Sequence, residues 1–158
     1  MQVNPVEFRE VLGRFATGVT VVTTVANGRP IGLTANAFTS VSLDPPLVLF
    51  CLDRDFSDLD AFVRGECFAI NILADDQKDH SVRFSTSGAD RFAELAFETW
   101  ETGSPILPGA VASIDCQRHA VHDGGDHAIV IGRVLRADLV TSDSAPLVFH
   151  RGAYCDIA

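Results

Sequence analysis

The sequence predicts a mainly β fold, an antiparallel barrel of six or seven strands with two or three short helices beside it. Runs of β-branched residues recur along the chain, as in VTVVTTV at 19–25, and such residues suit a pleated, half-buried surface. Asn27-Gly28 lies between two of these runs, and Asn-Gly is the strongest short-range sign of a two-residue hairpin. Two long β-patterned segments, 110–122 and 127–140, are joined only by Asp-Gly-Gly-Asp. Strands joined by hairpins rather than by helical crossovers favour an antiparallel barrel over a βαβ sheet.

Each element follows from local chemistry. NPVEFREVLGRFATG at 4–18 reads as a helix, with Asn4 as cap, Pro5 at the first helical position and Glu7 in the capping-box place. Phe8, Val11, Leu12 and Phe15 recur at three and four residues, giving one apolar stripe that covers a barrel end or a partner subunit, and Gly18 supplies the stop. After the Asn27-Gly28 turn, Ile31 to Leu43 reads as one strand without a single charged side chain. Alternation puts Ile31, Leu33, Ala35, Ala37, Val41 and Leu43 on one face, and Gly32, Thr34, Asn36, Phe38, Ser40 and Ser42 on the other. A solvent-facing strand usually carries charge as protection against edge pairing. The small uncharged face therefore suggests a polar ligand close to the backbone, with a lightly polar surface strand as the alternative.

Asp44-Pro45-Pro46 ends that strand, and Leu47–Leu52 is an apolar run suited to a buried one. Residues 57–65 read as a short helix capped by Ser57 and closed by Gly65, and 67–73 as another buried strand. Acids at 75, 76 and 79 open a helix that places His80, Arg83 and Phe84 on one face. FETW at 97–100 is a short strand, and PLVFHRGAY at 146–154 supplies the last one. Without repeats, low-complexity tracts or linkers, residues 1–158 read as one domain.

The net charge of −9 argues against nucleic acid or an anionic membrane as partner. An anionic ligand would need local donors, which act where longer-range repulsion is screened. The cysteines Cys51, Cys67, Cys116 and Cys155 form no C-x-x-C pair, so reduced thiols and a cytoplasmic location are expected. No apolar run is long enough to span a bilayer, and the N-terminal residues lack a signal pattern.

HAVHDGGDH at 119–127 offers His119, His122, Asp123, Asp126 and His127 as metal ligands. On a strand His119 and His122 face opposite ways, and the spacing matches no standard zinc or iron site, so no metal is expected. The same segment can carry Asp126 and His127 to a barrel mouth on the Gly124-Gly125 turn; a plain surface histidine is the alternative. Arg83 could clamp a phosphate or simply be solvated on its helix. Cys51, in an apolar run, reads as a small hydrophobe rather than a reactive thiol.

The stretches FATGVTVVTT, GLTANAFTSVSLDPPLVLFCL, CFAINIL, HSVRF, DRFAELAFE, GSPILPGAVASIDC, GGDHAIVIGRV and PLVFHRGAY follow one another as in the flavin reductase-like, FMN-binding split-barrel family. The chain resembles most the small reductase components of two-component flavin monooxygenases. The resemblance implies a homodimeric Greek-key split barrel that passes hydride from NADH or NADPH to FMN or FAD, supplying reduced flavin to a partner monooxygenase. It implies flavin contacts from Thr34, Ala35, Asn36, Ser40 and Val41, with Cys51 and Leu52 flanking the ring. Ser57, Arg83 and Phe84 would lie at the phosphate, Tyr154 near the ring, and His127 over the nicotinamide side as the catalytic position. The chain departs from the family at Ala37, where serine is frequent, and in the acidic run DRDFSDLD after Leu52. A flavin-holding electron carrier and a pyridoxamine-phosphate-oxidase-like barrel are the alternatives; the latter would want a basic cluster this chain lacks.

Overall fold

The computed structural model of the chain describes residues 3–140 and 143–157. Asn4 caps α1 (Pro5–Leu12), its side-chain oxygen accepting from the Val6 N–H at 2.9 Å. The helix stops at Gly13, whose N–H reaches the Arg9 carbonyl, and not at Gly18, which is already extended in β1 (Thr17–Gly18). None of its residues is buried, and Val6, Phe8, Val11, Leu12 and Phe15 face outward.

β2 (Thr20–Ala26) and β3 (Arg29–Ala35) form the expected hairpin. Asn27 and Gly28 both take positive φ, 53° and 71°, as a tight primed turn requires. The predicted single strand from Ile31 to Leu43 is in fact two, because the chain breaks pairing at Asn36-Ala37 before β4 (Phe38–Leu43). β5 (Pro46–Asp53) pairs back on β4, with the register shifted between Ser40 and Ser42 so that Val41 bulges out. α2 (Leu59–Val63) is shorter than predicted, starting after Asp58 rather than Ser57, with no side-chain cap.

β6 (Cys67–Ile72), a short 3-10 turn at Asp75–Gln77 and α3 (Lys78–Ser85) follow, then the two-residue pair β7 (Glu98–Thr99) and β8 (Pro105–Ile106). β9 (Ala112–Gly124) and β10 (His127–Leu139) are the long hairpin. The segment predicted as one last strand folds into β11 (Val148–His150) and β12 (Ala153–Cys155), because Arg151 and Gly152 both adopt positive φ and reverse the chain. β1, β11 and β12 form their own small sheet.

The main sheet is antiparallel, in the order β3-β2-β6-β9-β10-β5-β4. Its two edge strands, β3 and β4, are consecutive in the chain and separated only by Asn36 and Ala37. Two residues cannot bridge a flat seven-stranded sheet, whose neighbours stand about 4.8 Å apart. The sheet must curl until its edges meet at that junction, where the Cys51 N–H donates to the Ala37 carbonyl at 2.9 Å. Away from the junction the barrel stays open as a seam.

Successive side chains alternate into two cores. Val22, Ile31, Leu33, Phe50, Phe68 and Val130 fill the interior, plugged at one end by Phe62 of α2, 5.9 Å from Phe50. Val21, Leu73, Phe84, Leu107 and Leu147 form a second core outside, with Phe92, Phe149 and Tyr154 packed on it. Among the described residues no helix is long and apolar enough to cross a membrane.

Candidate functional site

The seam runs from the Asn36-Ala37 junction, between the free edge of β3 and the end of β5 with the residues after it. A cavity lies at each end. At the junction, Asn36, Thr39 and Cys51 meet Thr17, Phe149 and Arg151 from the small sheet around a space of about 580 Å³. Farther along, Arg29, Gly32 and Ser57 meet Arg91 and Phe92 around a space of about 640 Å³. Both are on the scale of a whole small-molecule ligand.

The junction cavity has an apolar wall with few polar groups. Burial pushes the Cys51 thiol above its ordinary range, so it presents S–H rather than thiolate. The Thr17 hydroxyl is buried yet has no hydrogen-bond partner, and Thr17 lines this cavity. A buried polar group without a partner costs about 1–3 kcal/mol, and such orphans point to a role beyond the free fold. A flat heteroaromatic ring edged with carbonyl and N–H groups fits this wall: it offers acceptors to Thr17 and Asn36 and an apolar face to the phenylalanines. The residues present thus suit a flavin.

On the small face of β3, Gly32 and Thr34 pack against α3. A Cβ on Gly32 would stand 2.6 Å from the Phe84 ring, and the Thr34 hydroxyl donates to the Ser81 carbonyl at 2.6 Å. Here small residues make room for α3. Ala35, Leu52 and Phe84 are buried in the two cores, with Leu52 and Phe84 fully enclosed. Ser40 and Val41 are exposed on β4. Tyr154 meets the Ser81 hydroxyl at 2.7 Å and lies under the Lys78 ammonium. Arg83 donates to the Ala93 carbonyl at 2.6 Å, which holds the loop after α3. Of the anticipated residues, the structure thus gathers Asn36 and Cys51 in one cavity and places Ser57 in the other.

His127 opens β10 opposite Asp53 of β5, its Nδ1 2.8 Å from Asp126. That hydrogen bond draws the Asp126 carboxyl below its ordinary range. The Gly124-Gly125 tip is not loose. Arg54 donates to the Gly125 carbonyl at 2.9 Å and to Asp123 at 2.6 Å, while its own N–H reaches the Asp126 carbonyl. Among the described residues no group of three His, Cys, Asp or Glu stands close enough to hold a metal.

Sequence reasoning missed Thr17, Arg54, Arg91 and Arg151. Each lies in a motif or turn visible in the sequence, but which cavity or loop it meets is set by long-range pairing. Arg91 donates to the carbonyls of Gly32 at 2.7 Å and Thr86 at 3.1 Å and stacks over Phe56. These partners are neutral, and Asp58 and Asp90 line the same cavity.

The family described as "Flavin reductase like domain" matches residues 12–158. The chain is 42% identical over 155 residues to the reductase subunit HsaB of a flavin-dependent monooxygenase from Rhodococcus jostii, covering 98% of this chain and 79% of that protein. It is 46% identical over 151 residues to the FMN reductase (NADH) SmoA of Agrobacterium fabrum, covering 96% and 85%. Among solved structures, the NADH:FAD oxidoreductase SgcE6 of Streptomyces globisporus, in complex with NAD and FAD fragments, superposes with a TM-score of 0.92. It is 36% identical, with 100% of this chain and 97% of that one covered. The family match over residues 12–158, together with relatives more than 40% identical over nearly the whole chain, shows that the chain belongs to the flavin reductase-like family.

Proposed function

We propose that this chain reduces free flavin, FMN or FAD, with NADH or NADPH and supplies it to a partner flavin-dependent monooxygenase. The orphaned Thr17 hydroxyl on the wall of the junction cavity carries this reading within the flavin reductase-like family. Bound flavin supplies the hydride acceptor, and the chain's residues bind, orient and exclude water. Thr17 and Asn36 hold the polar edge of the ring, and Phe38 and Phe149 give it an apolar surround. His127 positions the nicotinamide nucleotide, with Arg54 fixing the hairpin tip that carries it.

The unit is proposed to be a cytoplasmic homodimer. An outward apolar stripe on α1 needs a cover, and the same helix end contributes Leu12 and Phe15 to the junction cavity, so a second copy seated there would help close it.

The test is NADH oxidation with and without added FMN or FAD, run beside sedimentation at micromolar concentration. Oxidation that depends on added flavin, by a dimer, is expected. Flavin retained through purification with no nicotinamide oxidation would indicate an electron carrier instead. A fully active monomer would refute the dimer.

A further inference from the structure

On the flavin reading of the junction cavity, we infer that Ser81 is a positioning residue for the flavin ring. It ties two walls of that cavity to each other without touching what lies between them.

Ser81 sits on α3 and is 1% exposed. Its two oxygens are engaged by two different elements. The carbonyl accepts from the Thr34 hydroxyl of β3 at 2.6 Å, and the side-chain oxygen meets the Tyr154 hydroxyl of β12 at 2.7 Å. Neither Ser81 nor either partner lines the junction cavity, yet each partner stands next to a residue that does. Thr34 lies two residues before Asn36, on the β3 wall. Tyr154 pairs with Phe149 between β12 and β11, their rings 5.5 Å apart at an angle of 67°, and Phe149 lines the cavity from the small sheet. Phe149 in turn stands opposite Thr17 in β1, so the orphan hydroxyl belongs to the same wall.

On the β3 side α3 is fixed a second time, because Phe84, one turn beyond Ser81, fills the space over Gly32. The small sheet is held differently. β11 is approached through backbone bonds of Leu147 with Leu73 and Val19, and the turn before β12 through the Arg151 N–H on the Gly13 carbonyl. β12 itself is the edge of that sheet, with Ala153 and Cys155 exposed, and it reaches α3 through Tyr154. The Tyr154 ring lies under the Lys78 ammonium at 5.2 Å, and Lys78 shares a helix face with Ser81 three residues on. The Ser81–Tyr154 hydrogen bond therefore links the small-sheet wall, through α3, to the β3 wall. Burial at Ser81 shelters it from competing water. A ring seated between walls tied in this way keeps its orientation toward the nicotinamide, and hydride transfer depends steeply on that geometry.

The experiment compares wild type, Ser81→Ala, Tyr154→Phe and the double variant. It measures the affinity of the flavin-free protein for FMN and FAD by fluorescence titration, the rate of flavin reduction at saturating flavin and NADH, and Tm. Each single variant should weaken flavin binding about 2- to 5-fold, within the worth of one neutral hydrogen bond, and should slow reduction at saturation several-fold. The double variant should bind no more weakly than either single one, because both changes break the same link. A lowered Tm with affinity and saturated rate unchanged would make the pair a plain fold contact and overturn the inference, leaving the flavin reading in place. Weaker binding in Tyr154→Phe but not in Ser81→Ala would put the phenol on the ligand itself and also overturn it. So would losses that add in the double variant, since they would mean two separate contacts. Absence of binding of both FMN and FAD by wild type would overturn the flavin reading together with the inference.

Discussion

Replacing Thr17 by valine should make the flavin-free protein more stable and the liganded one weaker. Valine keeps the β-branched shape that β1 uses in pairing with β11, where Thr17 stands opposite Phe149, and removes only the hydroxyl. That hydroxyl is buried without a partner, so in the free protein it contributes a desolvation cost of about 1–3 kcal/mol. Removing it should stabilise by about 1–2 kcal/mol, and a chain of this size gains about 2–4 °C in Tm per kcal/mol. A rise of about 2–8 °C in the flavin-free protein is therefore expected. In the complex the same change deletes a neutral hydrogen bond of about 0.5–1.5 kcal/mol, weakening flavin affinity about 2- to 12-fold. Thermal unfolding of flavin-free protein and a fluorescence titration at fixed temperature read the two effects separately. Their opposite signs are the signature, because a merely structural threonine would lose stability and leave affinity alone. A lowered Tm with unchanged affinity would refute the assignment. So would weakened self-association with unchanged affinity, which would give the hydroxyl to a subunit contact.

Gly32→Ala should destabilise by about 1–3 kcal/mol through overpacking, since its Cβ would lie 2.6 Å from the enclosed Phe84 ring. Pairing it with Phe84→Leu should recover part of that loss in urea unfolding, and additive losses would mean the ring is not the obstacle. Arg54→Ala frees the hairpin tip that it now holds through Gly125 and Asp123; the nucleotide KM should rise several-fold with flavin affinity nearly constant, and Arg54→Lys should restore part of it. Equal effects on both ligands would remove Arg54 from nucleotide positioning. Burial pushes the Cys116 thiol from an ordinary 9.0 up to about 12. The folded chain therefore keeps a proton that the unfolded chain releases. That contribution to stability is complete below about pH 9 and is lost at up to about 1.4 kcal/mol per pH unit as the pH rises toward 12. Urea midpoints between pH 8 and 10.5 should fall less steeply in Cys116→Ala than in wild type, and equal slopes would refute the shift.

What the sequence determined by itself are features fixed within a few residues. The Asn27-Gly28 turn needs two positive φ angles and residues that tolerate them, and β9 with β10 needs only long alternating runs and a glycine turn between them. The strand partition into cores was legible for β3 too, because Ile31, Leu33 and Ala35 repeat at the period of two that a pleated sheet imposes. The Ser-x-x-Pro-Pro and Thr-Ala-Asn stretches carried the family as well. Only the tertiary structure decided where one strand became two. Asn36 and Ala37 hold no breaker residue, yet the barrel's edges must meet somewhere, and the two-residue link between its outermost strands sets that place. The same long-range closure decided what lies on the small face of β3: α3 returns from over forty residues away to lay Phe84 on Gly32 and to take the Thr34 hydroxyl at Ser81. It also decided that Thr17 and Arg91, which are ordinary residues in the sequence, line the two cavities. A hydroxyl becomes an orphan, and a guanidinium is anchored on backbone carbonyls, only through what the folded chain does or does not place beside it.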